Sequence, residues 1–115
     1  MSFGGFFARL QGGAALPTIE HEEFVQAVAR KTCAIFDVRE PQEYAAGHIP
    51  GAVNLPLSRF SPSALPKEKP VVLVCLAGGR SAKAVRQALD ADCKDVRHYA
   101  PGTGGWRSRG GGLAS

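Results

Sequence analysis

The chain has 115 residues, 44% of them hydrophobic and 21% charged, which suits one globular domain and is too short for two independent cores. No apolar run approaches the ~18 residues of a membrane span, and the first residues, despite Phe3, Phe6, Phe7 and Leu10, lack the basic start and continuous apolar core of a secretory leader, so a cytoplasmic protein is expected. The net charge of +4 favours small anions over nucleic acid: the nearest thing to a basic stripe, Lys94, Arg97, His98, Arg107 and Arg109, reads as a solvated face.

Residues 1–15 read as a Gly-interrupted tail, with a short membrane-touching or partner-binding helix as the alternative for the Phe cluster. Residues 16–110 read as the domain, and 111–115 as a C-terminal tail. From Thr18 to Lys31, Phe24, Val25 and Val28 recur at helical spacing, with Glu20, Glu22 and Glu23 early and Arg30 and Lys31 late, as the helix dipole prefers. Cys33 to Val38 is a short buried strand. Pro41 to Ala46 forms a short helix with proline in its first turn, stopped by Gly47. A turn, His48-Ile49-Pro50-Gly51, leads to a second strand at Ala52 to Leu55, and Ser61 to Leu65 suggests another short helix. Val71 to Val74 is the clearest strand, four β-prone residues after Pro70. Ser81 to Asp92 reads as a helix with Ala82, Val85, Ala88 and Leu89 on one face, and Val96 to Tyr99 as the last strand. The alternation points to an α/β domain with a mostly parallel sheet and helices on both faces.

The three cysteines, Cys33, Cys75 and Cys93, show no CxxC spacing. A disulfide framework or zinc site is therefore not expected, nor is any cofactor, and free thiols suit a reducing compartment. Cys33 reads as a core residue and Cys93 as a partly buried helix-end residue, with a resolving thiol as its alternative. Cys75 differs. It ends the clearest strand, where ligand sites lie in open α/β sheets. Leu76, Ala77, Gly78, Gly79 and Arg80 follow, and a helix begins near Ser81. Small residues let the loop curl so that its N–H groups point inward, and the helix start adds unpaired donors. A thiol in such a ring has a lowered pKa and needs no adjacent base. Arg80 adds a permanent charge and a forked donor for an anionic substrate.

Asp37-Val38-Arg39-Glu40, Glu43-Tyr44, Gly47 to Ala52, Asn54-Leu55-Pro56, the loop Cys75 to Ser81, and Gly102-Thr103-Gly104-Gly105-Trp106 stand in order along the chain. On these motifs, which cover roughly Thr18 to Gly110, the sequence resembles the rhodanese family of single-domain thiosulfate sulfurtransferases. The resemblance implies a three-layer fold with about five short parallel strands and helices on both sides. It also implies double displacement: Cys75 takes the outer sulfur of thiosulfate or a persulfide donor, then passes it to cyanide or a thiol, possibly a protein thiol. The alternative is a persulfide carrier or docking module serving a partner enzyme. Four residues separate Cys75 from Arg80. The phosphatases and arsenate reductases of this fold have a wider loop that admits a tetrahedral oxyanion, so the count here favours sulfur.

Asp37 and Arg39 are expected to support the site, Asp37 by bracing the loop and Arg39 by pairing with Glu43. His48 belongs to a turn that packs the sheet edge, and Trp106 to the core or a lid. Two departures from the family pattern stand out: Ala91-Asp92-Cys93 where a glycine is common, and Pro101 where the first glycine of a pair is usual. The default expectation for assembly is a monomer.

Overall fold

Val71–Val74 is the centre of the sheet, with all four side chains buried. The computed structural model describes residues 15–115, so the Phe cluster lies outside the described residues. In chain order the elements are α1 (His21–Arg30), β1 (Ala34–Asp37), α2 (Pro41–Ala46), β2 (Val53–Asn54), β3 (Val71–Val74), α3 (Gly79–Asp90), β4 (Val96–His98) and α4 (Gly102–Ser108). The strands pair in the order β2-β1-β3-β4, all parallel. The expected fifth strand shrinks to a single parallel bridge: Thr18 sits opposite His98, Ile19 N donates to His98 O (3.1 Å), and His98 N donates to Pro17 O (3.0 Å). That pairing keeps residues 17–19 extended, so α1 starts at His21, three residues later than its periodicity suggests.

Successive strand side chains point to opposite faces, and this alternation builds two cores. On one face Val72 and Val74 pack with Ile35, Phe24 of α1, Tyr99 and Trp106. Phe24 stacks on Tyr99 (4.3 Å between centroids) and meets Trp106 edge-on (5.5 Å), so Trp106 is a core residue. On the other face Val71 and Leu73 pack with Ala84, Val85 and Ala88 of α3 and with Val96. The sheet therefore lies between α1 with α4 on one side and α3 on the other. Among the described residues no helix is long and apolar enough to cross a membrane.

Several details depart from the sequence reading. The stretch 61–65 makes only a 3₁₀ turn, Pro62–Ala64, and a second one spans Leu57–Arg59. α3 begins at Gly79 rather than Ser81. α4 was not legible, because three of its first four residues are glycines, which are poor helix formers. Asp92 itself adopts the left-handed conformation (φ 66°) expected of a glycine after a helix. Residues beyond 110 turn back onto the domain: Trp106 Nε1 donates to Gly112 O (2.9 Å), and His48 and Ala114 exchange backbone hydrogen bonds at 2.8 and 2.7 Å. The basic residues near the C-terminus do not form a stripe, since His98 is buried and Arg97 is tied to Glu23 of α1 at 3.1 Å.

Candidate active site

Cys75 follows β3 directly, and only 1% of its surface is exposed. Its Sγ accepts from the Gly78 N–H at 3.1 Å and the Ser81 N–H at 3.4 Å. The thiol lies 3.6 Å from Ser81 Oγ, to which it can donate. Burial alone would raise the thiol pKa. Hydrogen bonds from the Ser81 hydroxyl and from the N–H groups of Ser81, Gly78 and Ala77 outweigh it, and the pKa is lowered.

Two helices make this ring possible. α3 supplies its first-turn donors, entered through Gly78 at φ 103°. A side chain at Gly78 would also strike Ala100 O at 2.6 Å. From behind, the start of α4 takes the loop's carbonyls: Thr103 N donates to Cys75 O (2.8 Å) and Gly104 N to Leu76 O (3.1 Å). With those carbonyls held outward, the loop's donors remain for the sulfur. Gly102 (φ 69°) is where this contact is tightest, because any Cβ there would run into the carbonyls of Leu76 and Cys75. Pro101 precedes this point as the residue capping α4.

The remaining loop residues form the rim. Leu76 is 49% exposed, an apolar side chain beside the buried thiol, and Ala77 and Gly79 are exposed too. Arg80 is half-buried and engaged: its Nη1 and Nη2 donate to the two Glu43 oxygens at 2.7 and 3.1 Å. This hydrogen bond holds the Glu43 carboxyl at a pKa of about 2 and raises that of Arg80.

The sequence reading misassigned two partnerships here. Arg39 pairs with Asp37, not Glu43: its Nη2 donates to Asp37 Oδ2 at 2.8 Å and its Nε to Asp37 Oδ1 at 3.0 Å. Asp37 therefore makes no side-chain hydrogen bond to the cysteine loop. It holds Arg39, which reaches Gly47 O at 2.7 Å behind α2. The support is indirect, because α2 carries Glu43 and Glu43 carries Arg80. In α2, Glu40 and Glu43 each cap the other's backbone, which fixes where Glu43 stands.

His48 stacks on Tyr44 (3.8 Å) and its Nδ1 bonds Tyr44 O; among the described residues it makes no hydrogen bond to the cysteine loop. Cys33 and Cys93 are half-buried free thiols before β1 and β4. In a parallel sheet that is the end opposite Cys75, which rules out Cys93 as its resolving partner. One residue of the site escaped the sequence reading. By residue type His98 falls with the surface charges, yet its Nδ1 lies 2.8 Å from Ser81 Oγ. Strand alternation carried the signal, since His98 shares the inward face of Val96 toward α3.

A buried thiol in a ring of N–H donors at the carboxyl end of a parallel sheet has the surroundings that a nucleophilic cysteine needs. The rhodanese-like domain model matches residues 20–109, and the chain belongs to that family. It is 33% identical over 103 residues to the human thiosulfate:glutathione sulfurtransferase, covering 76% of this chain and 90% of that one. It is 32% identical over 102 residues to YrkF of Bacillus subtilis, a putative sulfur carrier protein, covering 86% of this chain. The chain spans about half the length of YrkF (55%) and of an uncharacterised Synechocystis relative (53%). Among solved structures, the human single-domain sulfurtransferase TSTD1 superposes with a TM-score of 0.72 at 29% identity, covering 83% of this chain and 98% of that one. A rhodanese-related protein of Thermoplasma volcanium superposes at 0.75 and 27% identity, covering 85% and 97%. Proteins named for sulfur transfer and for sulfur carriage thus both stand among its relatives.

Proposed function

We propose that this domain is a sulfurtransferase in which Cys75 carries the transferred sulfur as a persulfide. The observation that supports this best is the Cys75 sulfur itself, buried yet faced by the N–H groups of Gly78 and Ser81. In the first half-reaction the Cys75 thiolate attacks the outer sulfur of thiosulfate. The S–S bond of the donor breaks, its electron pair leaves with sulfite, and Cys75 keeps an anionic persulfide. In the second half, a thiolate or cyanide attacks that outer sulfur and the thiolate of Cys75 returns. The same donors that stabilise the thiolate then face the persulfide charge. The Leu76, Ala77, Gly78, Gly79, Arg80 and Ser81 loop binds the donor, and Asp37 and Arg39 support it from behind α2.

Because Glu43 engages Arg80, the rim presents a partly neutralised charge to a dianionic donor. Glu43→Gln should free the guanidinium and lower the KM for thiosulfate about five-fold, equivalent to ~1 kcal/mol, with kcat little changed. Initial rates at varied thiosulfate check this. The Glu43 carboxyl also contributes a pH signature. Its folded pKa is depressed to about 2, so its contribution to stability is complete above its unfolded value near 4.5 and is lost as pH falls toward 2.

The reading is tested by steady-state transfer from thiosulfate to cyanide and, separately, to glutathione. Double displacement requires parallel lines in double-reciprocal plots; intersecting lines would contradict it. A second reading, a persulfide carrier docking on a partner enzyme, draws on the exposed Leu76 beside the thiol. It predicts slow turnover with both small acceptors despite rapid loading.

A further inference from the structure

The Ser81 hydroxyl has one hydrogen and three acceptors within reach. They are His98 Nδ1 at 2.8 Å, Gly78 O at 3.3 Å and the Cys75 sulfur at 3.6 Å. Which one it serves depends on the imidazole. A bare Nδ1 is the closest acceptor and takes the hydrogen; the thiol then donates to Ser81 Oγ. When Nδ1 carries a proton, it donates to Ser81 Oγ, and the hydroxyl hydrogen is released to Cys75. The chain Cys75–Ser81–His98 can thus run in either direction, and each direction suits one ionisation state of the sulfur.

We propose that His98 is a positioning residue that sets the ionisation of Cys75 through Ser81, by accepting the thiol proton along this chain. The S–H bond breaks, Ser81 Oγ takes that proton and passes its own to His98 Nδ1, and a neutral trio becomes a thiolate and an imidazolium. No charge enters or leaves the buried site. This rests on the reading of Cys75 as the sulfur-carrying nucleophile, and it gives the thiol proton a destination beside the N–H ring that stabilises the thiolate.

The relay starts from a neutral ring. His98 is only 6% exposed. Burial and, less strongly, the charge of Arg86 on α3 lower its pKa, so the ring is neutral at rest; the same causes oppose the imidazolium, which the thiolate formed with it must offset. The other groups around it are accounted for. β3 carries no charged side chain, and neither does the extended stretch 15–19 beside β4. Arg97 lies on the opposite face of the sheet, paired with Glu23 of α1. Among the described residues, Cys75 is the ionisable group that the Ser81 hydroxyl joins to His98, and the two should titrate as a coupled pair.

The test combines two titrations on the full chain. One follows the ultraviolet absorbance of the Cys75 thiolate, as the difference from Cys75→Ser. The other follows the His98 ring nitrogens by ¹⁵N NMR, assigned with His98→Asn. We expect the His98 signals to show an inflection that coincides with thiolate formation and disappears in Cys75→Ser. His98→Phe should cut the thiolate fraction at neutral pH about tenfold, one pKa unit. His98→Asn, which can hydrogen-bond but not accept the proton, should recover part of that loss without restoring the coupled inflection. A purely structural histidine would not produce coupled titrations, and the comparison of unaltered protein with Cys75→Ser stands even if the Phe variant does not fold. Ring signals indifferent to Cys75→Ser, with a thiolate curve unmoved by His98→Asn, would overturn the relay. Persulfide loading measured on the same samples separates the two claims: normal loading with uncoupled titrations rejects the relay alone, whereas no loading of the unaltered protein from any sulfur donor rejects the sulfur-transfer reading and the relay's role with it.

Discussion

Cys75→Ser should reduce sulfur transfer by ~10⁴-fold or more while the protein remains folded. The serine oxygen would occupy the same ring, with the N–H groups of Gly78 and Ser81 still facing it. Those donors lower the thiol pKa, but a hydroxyl starts far too high for the same help to ionise it. Oxygen also forms no persulfide equivalent. The substitution removes one buried sulfur among residues that can hydrogen-bond its replacement, so the thermal midpoint should move by only a few degrees. Rates of thiocyanate formation and a melting curve on the same preparation check both halves. Variants at Cys33 and Cys93 should transfer sulfur normally, because those thiols sit at the other end of the sheet.

The second large effect concerns stability. Asp37→Ala should destabilise the domain by ~3–5 kcal/mol, the usual consequence of leaving one partner of a buried ion pair alone. Asp37 is fully buried and Arg39 is 6% exposed. The carboxylate accepts the Arg39 backbone N–H (3.0 Å) as well as its guanidinium. Without it the guanidinium keeps only Gly47 O among the contacts described above. Asn54 Nδ2 donates to both Asp37 O (3.0 Å) and Arg39 O (2.9 Å), so the damage would reach the β1–β2 edge. For a domain of this size the loss corresponds to a fall in Tm of roughly 15 °C or more. Replacing both residues with apolar ones of similar volume should cost less than removing Asp37 alone. Denaturant or thermal unfolding of the single and double variants measures the difference.

The frame of the fold was legible because its signals are local. Pro41 to Ala46 and Val71 to Val74 have the bounds the sequence suggests, one from proline and glycine punctuation, the other from an unbroken β-prone run. The position of Cys75 and its loop followed from the same run. What could not be read were contacts between segments distant in the chain. Glu43 finds Arg80 37 positions away, while Arg39 turns to Asp37 two residues back. The glycines of α4 argue against a helix by propensity. The helix forms because its first N–H groups meet the carbonyls of Cys75 and Leu76, a contact no local pattern encodes. His98 was hidden by its charge type, though its place on the inward face of β4 was available from alternation.

The most direct test of the central claim is the intact mass of the protein after brief exposure to thiosulfate without reducing agent, followed by cyanide. The account predicts a gain of one sulfur atom, mapped to Cys75 and removed by cyanide. A mass that stays unchanged with thiosulfate and with a low-molecular-weight persulfide donor, or a sulfur atom found on Cys33 or Cys93 instead, would contradict it.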